Sequence, residues 1–224
     1  MVKSLTFSPL KWAAQSITTR GLLTTAKVAV SMVLDFGFDR WHGTETIQWV
    51  DTKALDISAE AKEHIAPYKA TKAMPFRRLL RTLNLPKAWT FVDFGSGKGR
   101  ALLLAAEYGF QKVIGVEISE ELCEVARRNA KMMGYDAQIH PVVSDVSAFV
   151  IEADQHVFYL YDPFDVVILR RILEQFRSSL TNAPRRVWLI YNAPTYHDEV
   201  MQAAVFTECR RHEIGGTEFF VYQN

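Results

Sequence analysis

The sequence predicts an α/β fold built on a doubly wound, mostly parallel sheet of seven strands. From Trp89 onward, short apolar runs alternate with stretches of helical apolar periodicity, which is the pattern of βα units with parallel strands. The last two apolar runs are joined by Gly215 and Gly216, which indicates a hairpin. A parallel series that ends in a hairpin implies that one strand is reversed.

The predicted strands follow one another at short intervals, with helices between them. The second strand ends in an acid, Glu117, and the helix predicted over 119–133 follows it with an apolar stripe at helical spacing. The full set of predicted strands is 89–94, 112–117, 137–143, 157–161, 186–191, 205–214 and 217–222.

The composition limits the class of protein. The chain has 224 residues, of which 49% are hydrophobic, so it can bury the core of one domain that carries an extension. Its formal net charge of +1 disfavours broad nucleic-acid binding. Cys123 and Cys209 do not form a C-x-x-C pair, so neither a disulfide framework nor a metal site is indicated. We expect a reducing, cytoplasmic environment.

Residues 1–58 are expected to form an N-terminal helical extension before the main domain, residues 59–224. The first 34 residues contain no Asp or Glu and show a mostly helical apolar pattern. Three interpretations remain open: a transit-type presequence, a helix that lies on an anionic membrane, and a helix that covers the active site. Lys27 and Arg20 interrupt the apolar run, which argues against a membrane span. We favour the covering helix.

Residues 35–60 are rich in aromatic residues and glycine, and they are predicted to form a loop. Within this loop, Trp41 and His42 either line a substrate pocket or belong to a packed connector. Residues 59–83 are predicted to form a helix that is interrupted near Pro67 and Pro75. We expect its basic residues to form a solvated face, with a phosphate-bearing or acidic partner as the alternative; they are Lys69, Lys72, Arg77, Arg78 and Arg81.

A glycine-rich turn between the first strand and its helix is the most informative feature. Gly95, Gly97 and Gly99 would let a ligand lie against the backbone, and the free N–H groups of the first helical turn would point at that ligand. The glycine spacing differs from that of the phosphate-binding P-loop and from the G-x-G-x-x-G dinucleotide fingerprint. Asp93 precedes the turn, and a carboxylate suits a cationic ligand better than a pyrophosphate. A tight turn without a ligand is the alternative.

This D-x-G-x-G-x-G pattern resembles motif I of the class I methyltransferases, which use S-adenosylmethionine (SAM). The predicted strand series over about residues 60–224 is also similar to the seven-stranded sheet of that family. The resemblance implies SAM as the cofactor, bound in part by Asp93, Gly95, Ser96, Gly97 and Gly99. Lys98 and Arg100, at the start of the first helix, are expected to be exposed.

Further cofactor residues are expected where the next strands end, because ligands of open α/β sheets bind at the carboxyl ends of strands. Glu117 can accept hydrogen bonds from both ribose hydroxyls, and Ile118 would lie against adenine. Glu117 could instead be an acid favoured by a helix N-terminus. In similar methyltransferases an acid at the position of Ser144 and Asp145 accepts the adenine amino group, although either residue could equally be an ordinary helix N-cap.

Tyr68 and Thr71 lie before the sheet, in a stretch that reaches the methionine end of the cofactor in similar enzymes. Together with the glycine turn and the acids, they complete the cofactor site that the resemblance implies.

The segment Tyr161-Asp162-Pro163-Phe164 resembles the [N/D]-P-P-[F/Y/W] motif of class I enzymes that methylate nitrogen. In that motif a side-chain oxygen and the next backbone carbonyl accept hydrogen bonds from the two N–H groups of an amine. These bonds aim the lone pair of the nitrogen at the methyl group of SAM, and this in-line placement promotes the transfer. This sequence has one proline where the motif has two. The segment could also be a strand-to-helix turn, and Asp162 could bind the amino group of the cofactor or act as a general base.

The expected function is therefore methyl transfer from SAM to a nitrogen on a small molecule, peptide or protein side chain. The motif series is also similar to that of the seven-strand protein-lysine methyltransferases. An oxygen or carbon acceptor is the alternative within the family. A nicotinamide-dependent oxidoreductase and a non-catalytic SAM-binding subunit are the alternatives outside it. No metal is expected, because His197, Asp198 and Glu199 point in different directions on a helix.

Overall fold

The computed structural model describes residues 37–47, 50, 55–66 and 68–224, together with isolated positions 18, 21, 25, 26, 30 and 33. Apart from those positions, the covering helix expected within residues 1–34 lies outside the described residues. The helices are α1 (Ala59–His64), α2 (Ala73–Leu83), α3 (Arg100–Tyr108), α4 (Glu120–Met132), α5 (Val166–Asn182) and α6 (His197–Gln202). The strands are β1 (Thr90–Phe94), β2 (Lys112–Glu117), β3 (Ile139–Val143), β4 (Gln155–Leu160), β5 (Trp188–Asn192), β6 (Glu208–Ile214) and β7 (Thr217–Gln223).

The strands form one sheet of seven in the order β3-β2-β1-β4-β5-β7-β6, which confirms the predicted fold class. Strands β1 to β5 pair in parallel, and β7 runs antiparallel to both β5 and β6. The turn between β6 and β7 is made by Gly215 and Gly216, which have φ values of 59° and 73°. Positive φ at both central residues is what a tight hairpin turn requires.

Helices cover both faces of the sheet, because the strand side chains alternate between two hydrophobic clusters. Val157 and Tyr159 of β4 pack into the first cluster, and Phe158 and Leu160 pack into the second. Helices α2 and α3 contribute to the first cluster and α5 contributes to the second. β1 lies between β2 and β4 and all five of its residues are buried, so its carboxyl end occupies the middle of the sheet edge.

The structure corrects two predictions before the sheet. Residues 37–42 are helical, although residues 35–60 were predicted to form a loop. The predicted 59–83 helix is interrupted between α1 and α2, and not at Pro75. Pro75 lies in the first turn of α2, where its missing N–H would have no helical partner in any case.

Residues 37–47, which we call the docking segment, pack on the start of α3 through a buried ion pair. Asp39 Oδ1 lies 3.3 Å from Arg100 Nη2, and Arg100 is only 1% exposed. The Arg100 guanidinium also lies 4.1 Å from the ring centroid of Phe38. The prediction that Lys98 and Arg100 are exposed is wrong, because Lys98 is also buried and its Nζ lies 2.7 Å from Glu45 Oε1.

Asp39 organises the docking segment by accepting hydrogen bonds from several donors. Its carboxylate accepts from Thr44 Oγ1 and Thr46 Oγ1, both at 2.7 Å, and from the Ile47 amide at 2.7 Å. Burial alone would raise the pKa of Asp39, but hydrogen bonds from Thr46 and Thr44 and the charge of Arg100 outweigh burial and lower this pKa. Folding therefore stabilises the charged form of the Asp39 carboxylate relative to its protonated form.

We expect Asp39→Asn to lower the free energy of unfolding at neutral pH by about 3 kcal/mol, because it removes the charged partner of a buried guanidinium. Since folding lowers the pKa of Asp39, the contribution of its charge to the free energy of unfolding is fully present above the ordinary carboxyl pKa. That contribution is lost as the pH falls through the pKa of Asp39 in the folded chain. Chemical denaturation of both proteins from neutral pH into acid measures the difference.

The matched control is Asp154→Asn, which removes an exposed ion pair between Asp154 and Lys112. Exposed pairs contribute roughly 0–1 kcal/mol, so the control should lose much less stability than Asp39→Asn. Equal losses in the two variants would contradict the role of the Asp39–Arg100 pair.

Candidate active site

A cavity lies at the carboxyl edge of the sheet, where the turns after β1, β2, β3 and β4 meet. Its wall is completed by α1 and by the segment that leads into α2. The predicted residues that line it are Asp93, Gly95, Ser96, Glu117, Ile118, Ser144, Asp145, Tyr68, Thr71, Tyr161, Pro163 and Phe164. The structure therefore brings together, around one space, residues from widely separated parts of the sequence.

Glu117 joins the turn after β2 to the glycine turn after β1. Its Oε2 accepts a hydrogen bond from the Gly97 amide at 2.8 Å, and its Oε1 accepts one from the Ser119 amide at 3.0 Å. Burial raises the pKa of Glu117, and these backbone hydrogen bonds partly offset that rise. Each carboxylate oxygen keeps a second lone pair, with which it can accept a hydroxyl proton from a ligand.

Asp93 lies at the end of β1 and is only 4% exposed. Burial raises the pKa of Asp93 well above its ordinary value, and the negative charge of Glu117 raises it further. Two buried acids thus share one wall of the cavity. A positively charged ligand would stabilise the charged forms of both carboxylates.

At two positions of the glycine turn, close contacts leave no room for a side chain. A Cβ on Gly97, which has φ of +52°, would lie 2.2 Å from the ring of Tyr68. A Cβ on Gly95, with φ of +79°, would lie 2.7 Å from Pro163 Cβ. The glycine turn therefore packs directly against the turn after β4 and against Tyr68, whose hydroxyl donates to the Thr46 carbonyl at 2.7 Å. Gly99 precedes α3 and has a left-handed backbone.

Asp145 forms the helix N-cap that the sequence offered as one of its two roles, and it also lines the cavity. Its carboxylate caps the short 3-10 helix Val146–Ala148 by accepting the Ser147 amide at 2.7 Å. The same side chain lines the cavity beside Ser144 and Ile118. The capping bond fixes the carboxylate at the cavity wall.

Asp162 does not line the cavity, although its neighbours Tyr161, Pro163 and Phe164 do. Its backbone is left-handed, with φ of 43°, and its carboxylate accepts hydrogen bonds from Tyr191 at 2.8 Å and Thr195 at 2.7 Å. The carbonyl of Pro163 accepts the Ala66 amide at 2.9 Å. The two acceptors that would receive an amine in the nitrogen-methylating motif are therefore both engaged within the protein.

A buried polar network closes the cavity on the side of β4. The Tyr159 hydroxyl bonds Thr71 Oγ1 at 2.9 Å and accepts from Asn192 Nδ2 at 2.9 Å. Burial raises the pKa of Tyr159 well above its ordinary value, so this hydroxyl stays protonated. Thr71 is fixed by this bond, which accounts for its place in the wall.

Sequence reasoning missed several residues of the wall, and it left the place of Trp41 and His42 open. His64, Tyr159 and Arg171 line the cavity, but none belongs to a motif that marks it as part of a site. Trp41 is 87% exposed and neither it nor His42 lines the cavity, so the structure does not support the substrate-pocket interpretation of these two residues. His42 Nδ1 bonds the Phe38 carbonyl at 2.8 Å within the helical part of the docking segment.

His197 and Glu199 have partners on neighbouring elements. His197 Nδ1 lies 2.8 Å from the Tyr222 hydroxyl, and Glu199 forms an ion pair with Arg170 at 2.9 Å. Among the described residues, there is no group of three or more His, Cys, Asp and Glu side chains that could bind a metal ion. In the same part of the chain, no helix is both long and apolar enough to span a membrane.

The wall of the cavity fits a cationic adenosyl ligand. Ammonium and sulfonium groups would be attracted by the buried acids Asp93 and Glu117, whereas a pyrophosphate would be repelled by them. Ser96 lines the cavity, and its buried Oγ has no hydrogen-bond partner among the residues that the structure describes. The site therefore offers two acids and a close backbone turn.

Solved structures of methyltransferases share the fold. A ribosomal protein L11 methylase from Lactobacillus delbrueckii subsp. bulgaricus gives a TM-score of 0.54 at 18% identity, covering 69% of this chain and 79% of that chain. A SAM-dependent methyltransferase from Aquifex aeolicus gives 0.53 at 16%, covering 67% and 89%. A SAM-dependent O-methyltransferase from Thermotoga maritima gives 0.52 at 14%, covering 69% and 66%. At such identities the likeness shows the fold alone.

The family is shown by the sequence itself. A comparison with curated proteins gave no match. The family described as "Methyltransferase domain" matches residues 85–211, which is more than half of the chain and includes the glycine turn and Glu117. This match confirms the predicted family, cofactor and class of enzyme. The chain belongs to the methyltransferase-domain family and is a SAM-dependent methyltransferase of class I.

Proposed function

We propose that SAM lies across the glycine turn, with its ribose hydroxyls on Glu117 and its ammonium group beside Asp93. The observation that carries this proposal is the bond from the Gly97 amide to Glu117, because it fixes a buried acid next to the backbone turn. When bound, SAM supplies a methyl group on a positively charged sulfur. Asp145 and Ile118 would contact adenine, and Tyr68 and Thr71 would border the methionine end.

We further propose that the acceptor lies against the wall formed by Tyr161, Pro163 and Phe164. These residues share the cavity with Asp93 and Glu117, so the two reactants would meet in one space. Asp162 would act as a positioning residue, since its bonds to Tyr191 and Thr195 fix the turn that carries the wall.

The accepting atom is proposed to be a nitrogen or oxygen that loses a proton during the transfer. A nitrogen acceptor agrees with the partial resemblance of residues 161–164 to the nitrogen-methylating motif. A hydroxyl is the second candidate, because Asp162 does not line the cavity and so does not present the amine-binding pair there. Residues 1–58 remain a proposed cover for this site.

We expect Glu117→Ala to weaken binding of S-adenosylhomocysteine about 10- to 100-fold, because a charge-assisted hydrogen bond contributes roughly 1.5–3 kcal/mol. Calorimetric titration of the wild-type and variant chains measures the change. The matched control is Glu121→Ala, which removes an exposed acid from the first turn of α4. Equal affinity of the Glu117 variant and the control would contradict the assignment of Glu117.

The acceptor can be identified by incubating the protein with a cell extract and SAM that carries a deuterated methyl group. We expect an extract component to gain one CD3 group, and fragmentation in the mass spectrometer to place that group on nitrogen or oxygen. The Glu117→Ala variant should transfer much less label under the same conditions. Label found on carbon, or equal labelling without the protein, would contradict the proposed reaction.

A further inference from the structure

His64 lies in the wall of the cavity, beside the proposed acceptor surface, and it pairs with Asp165, which does not itself line the cavity. His64 ends α1 and lines the cavity, and its Nδ1 lies 2.6 Å from Asp165 Oδ2. The two side chains are 30% and 33% exposed, so the pair is reachable from solvent but partly screened from it. Neither residue belongs to a motif that the sequence analysis identified.

The Asp165 carboxylate is fixed from two directions. Its other oxygen, Oδ1, caps α5 by accepting the amides of Val167 at 3.0 Å and Ile168 at 3.2 Å. Its own amide donates to the His64 carbonyl at 2.9 Å. The carboxylate therefore has one available oxygen, and that oxygen is directed at the imidazole.

The backbone holds the two residues in register. Ile65 and Phe164 form an antiparallel bridge, and the Ala66 amide donates to the Pro163 carbonyl at 2.9 Å. The bridge joins the end of α1 to the same turn that carries the proposed acceptor wall. His64 is thereby placed beside Phe164 and Pro163 by main-chain bonds, independently of its own side-chain contact.

A carboxylate that accepts from Nδ1 selects one tautomer of a neutral histidine. Because Asp165 Oδ2 can only accept, the proton of neutral His64 lies on Nδ1 and the lone pair lies on Nε2. His64 lines the cavity, and Nε2 is the ring nitrogen that the bond to Asp165 leaves available. A fixed imidazole with a bare nitrogen is a competent general base.

We propose that His64, oriented by Asp165, is the general base that takes the proton of the methyl acceptor. This inference rests on the proposed function. The nucleophilic atom of the acceptor forms a bond to the methyl carbon, and the carbon–sulfur bond breaks with its electron pair on sulfur. The proton of the acceptor passes to His64 Nε2 and later to solvent. His64 is the catalytic residue and Asp165 is a positioning residue.

Asp162, the base considered from the sequence, is poorly placed for this task. Both of its oxygens accept hydrogen bonds from Tyr191 and Thr195, and it does not line the cavity. His64 lies in the wall and has one ring nitrogen outside the Asp165 bond. Asp162 therefore fixes the turn after β4, and His64 removes the proton.

The charges around His64 set the pH range in which it can act. The hydrogen bond that His64 donates to Asp165 raises the pKa of His64 above its ordinary value, and burial partly opposes this rise. The charges of Asp165 and Glu63 raise the pKa further, and the charge of Arg171 lowers it. Glu60 of α1 lines the same cavity. Since the base is the neutral form, the transfer rate should rise with pH through this raised pKa and then level off.

The competing explanation is that the His64–Asp165 pair has only a structural role. The His64→Asn variant distinguishes this explanation from the role of His64 as a base. The asparagine amide can still donate to Asp165, which preserves the contact, but it offers no base. We expect the plateau rate of CD3 transfer into the extract to fall about 100-fold or more, and the rise with pH through the His64 pKa to disappear. The matched control is His140→Asn, an exposed histidine on β3, which should keep the wild-type rate and profile.

Asp165→Asn tests the positioning role. Asparagine can still cap α5 through its oxygen, but its amide would donate to His64 Nδ1 and force the proton onto Nε2. We expect a loss of about tenfold or more in rate and a lower pKa for His64. Nitrogen-15 NMR of histidine-labelled protein should report an Nδ1-protonated ring in the wild type and an Nε2-protonated ring in this variant.

The outcomes distinguish the inference from the function on which it rests. An Nε2-protonated His64 in the wild type, or a His64→Asn protein with wild-type rate and pH profile, would overturn the assignment of the base. Absence of CD3 transfer by the wild-type protein would instead count against the proposed function. In that case the NMR tautomer would still support or overturn the orientation of His64.

Discussion

The hydrogen bond from the Gly97 amide to the Glu117 carboxylate is the contact on which the rest of the site depends. β1 and β2 are parallel neighbours, so their turns meet at one edge of the sheet, and this bond joins them. Burial disfavours the charged carboxylate of Glu117, and the amides of Gly97 and Ser119 compensate in part. With the turn fixed, Tyr68 can pack on Gly97 and reach Thr46 of the docking segment.

The chemistry of the cavity is divided between its two sides. Near the glycine turn, the buried acids Asp93 and Glu117 suit a cationic methyl donor. Near α1 and the turn after β4, the His64–Asp165 pair provides a proton acceptor beside aromatic and proline surface. Methyl transfer needs both properties, because the donor must be held as a cation while the acceptor loses a proton. The fold supplies them from different elements around the same cavity.

Local sequence patterns were sufficient for the sheet and for most of the predicted residues that line the cavity. Apolar runs, the glycine spacing and the acids at strand ends depend on neighbours in sequence, so they are readable without coordinates. The Asp39–Arg100 pair and the engagement of Asp162 by Thr195 depend on contacts across dozens of residues, which no local pattern encodes. The same reason explains why His64, in an unremarkable helical stretch, was not singled out.

The central claim is that the crevice between the glycine turn and Glu117 accepts an adenosyl amino acid and rejects a dinucleotide. Parallel calorimetric titrations of the full chain with S-adenosylhomocysteine and with NAD test it most directly. The account predicts saturable binding of one S-adenosylhomocysteine per chain and no heat of binding with NAD. Tight binding of NAD together with no binding of S-adenosylhomocysteine would contradict it.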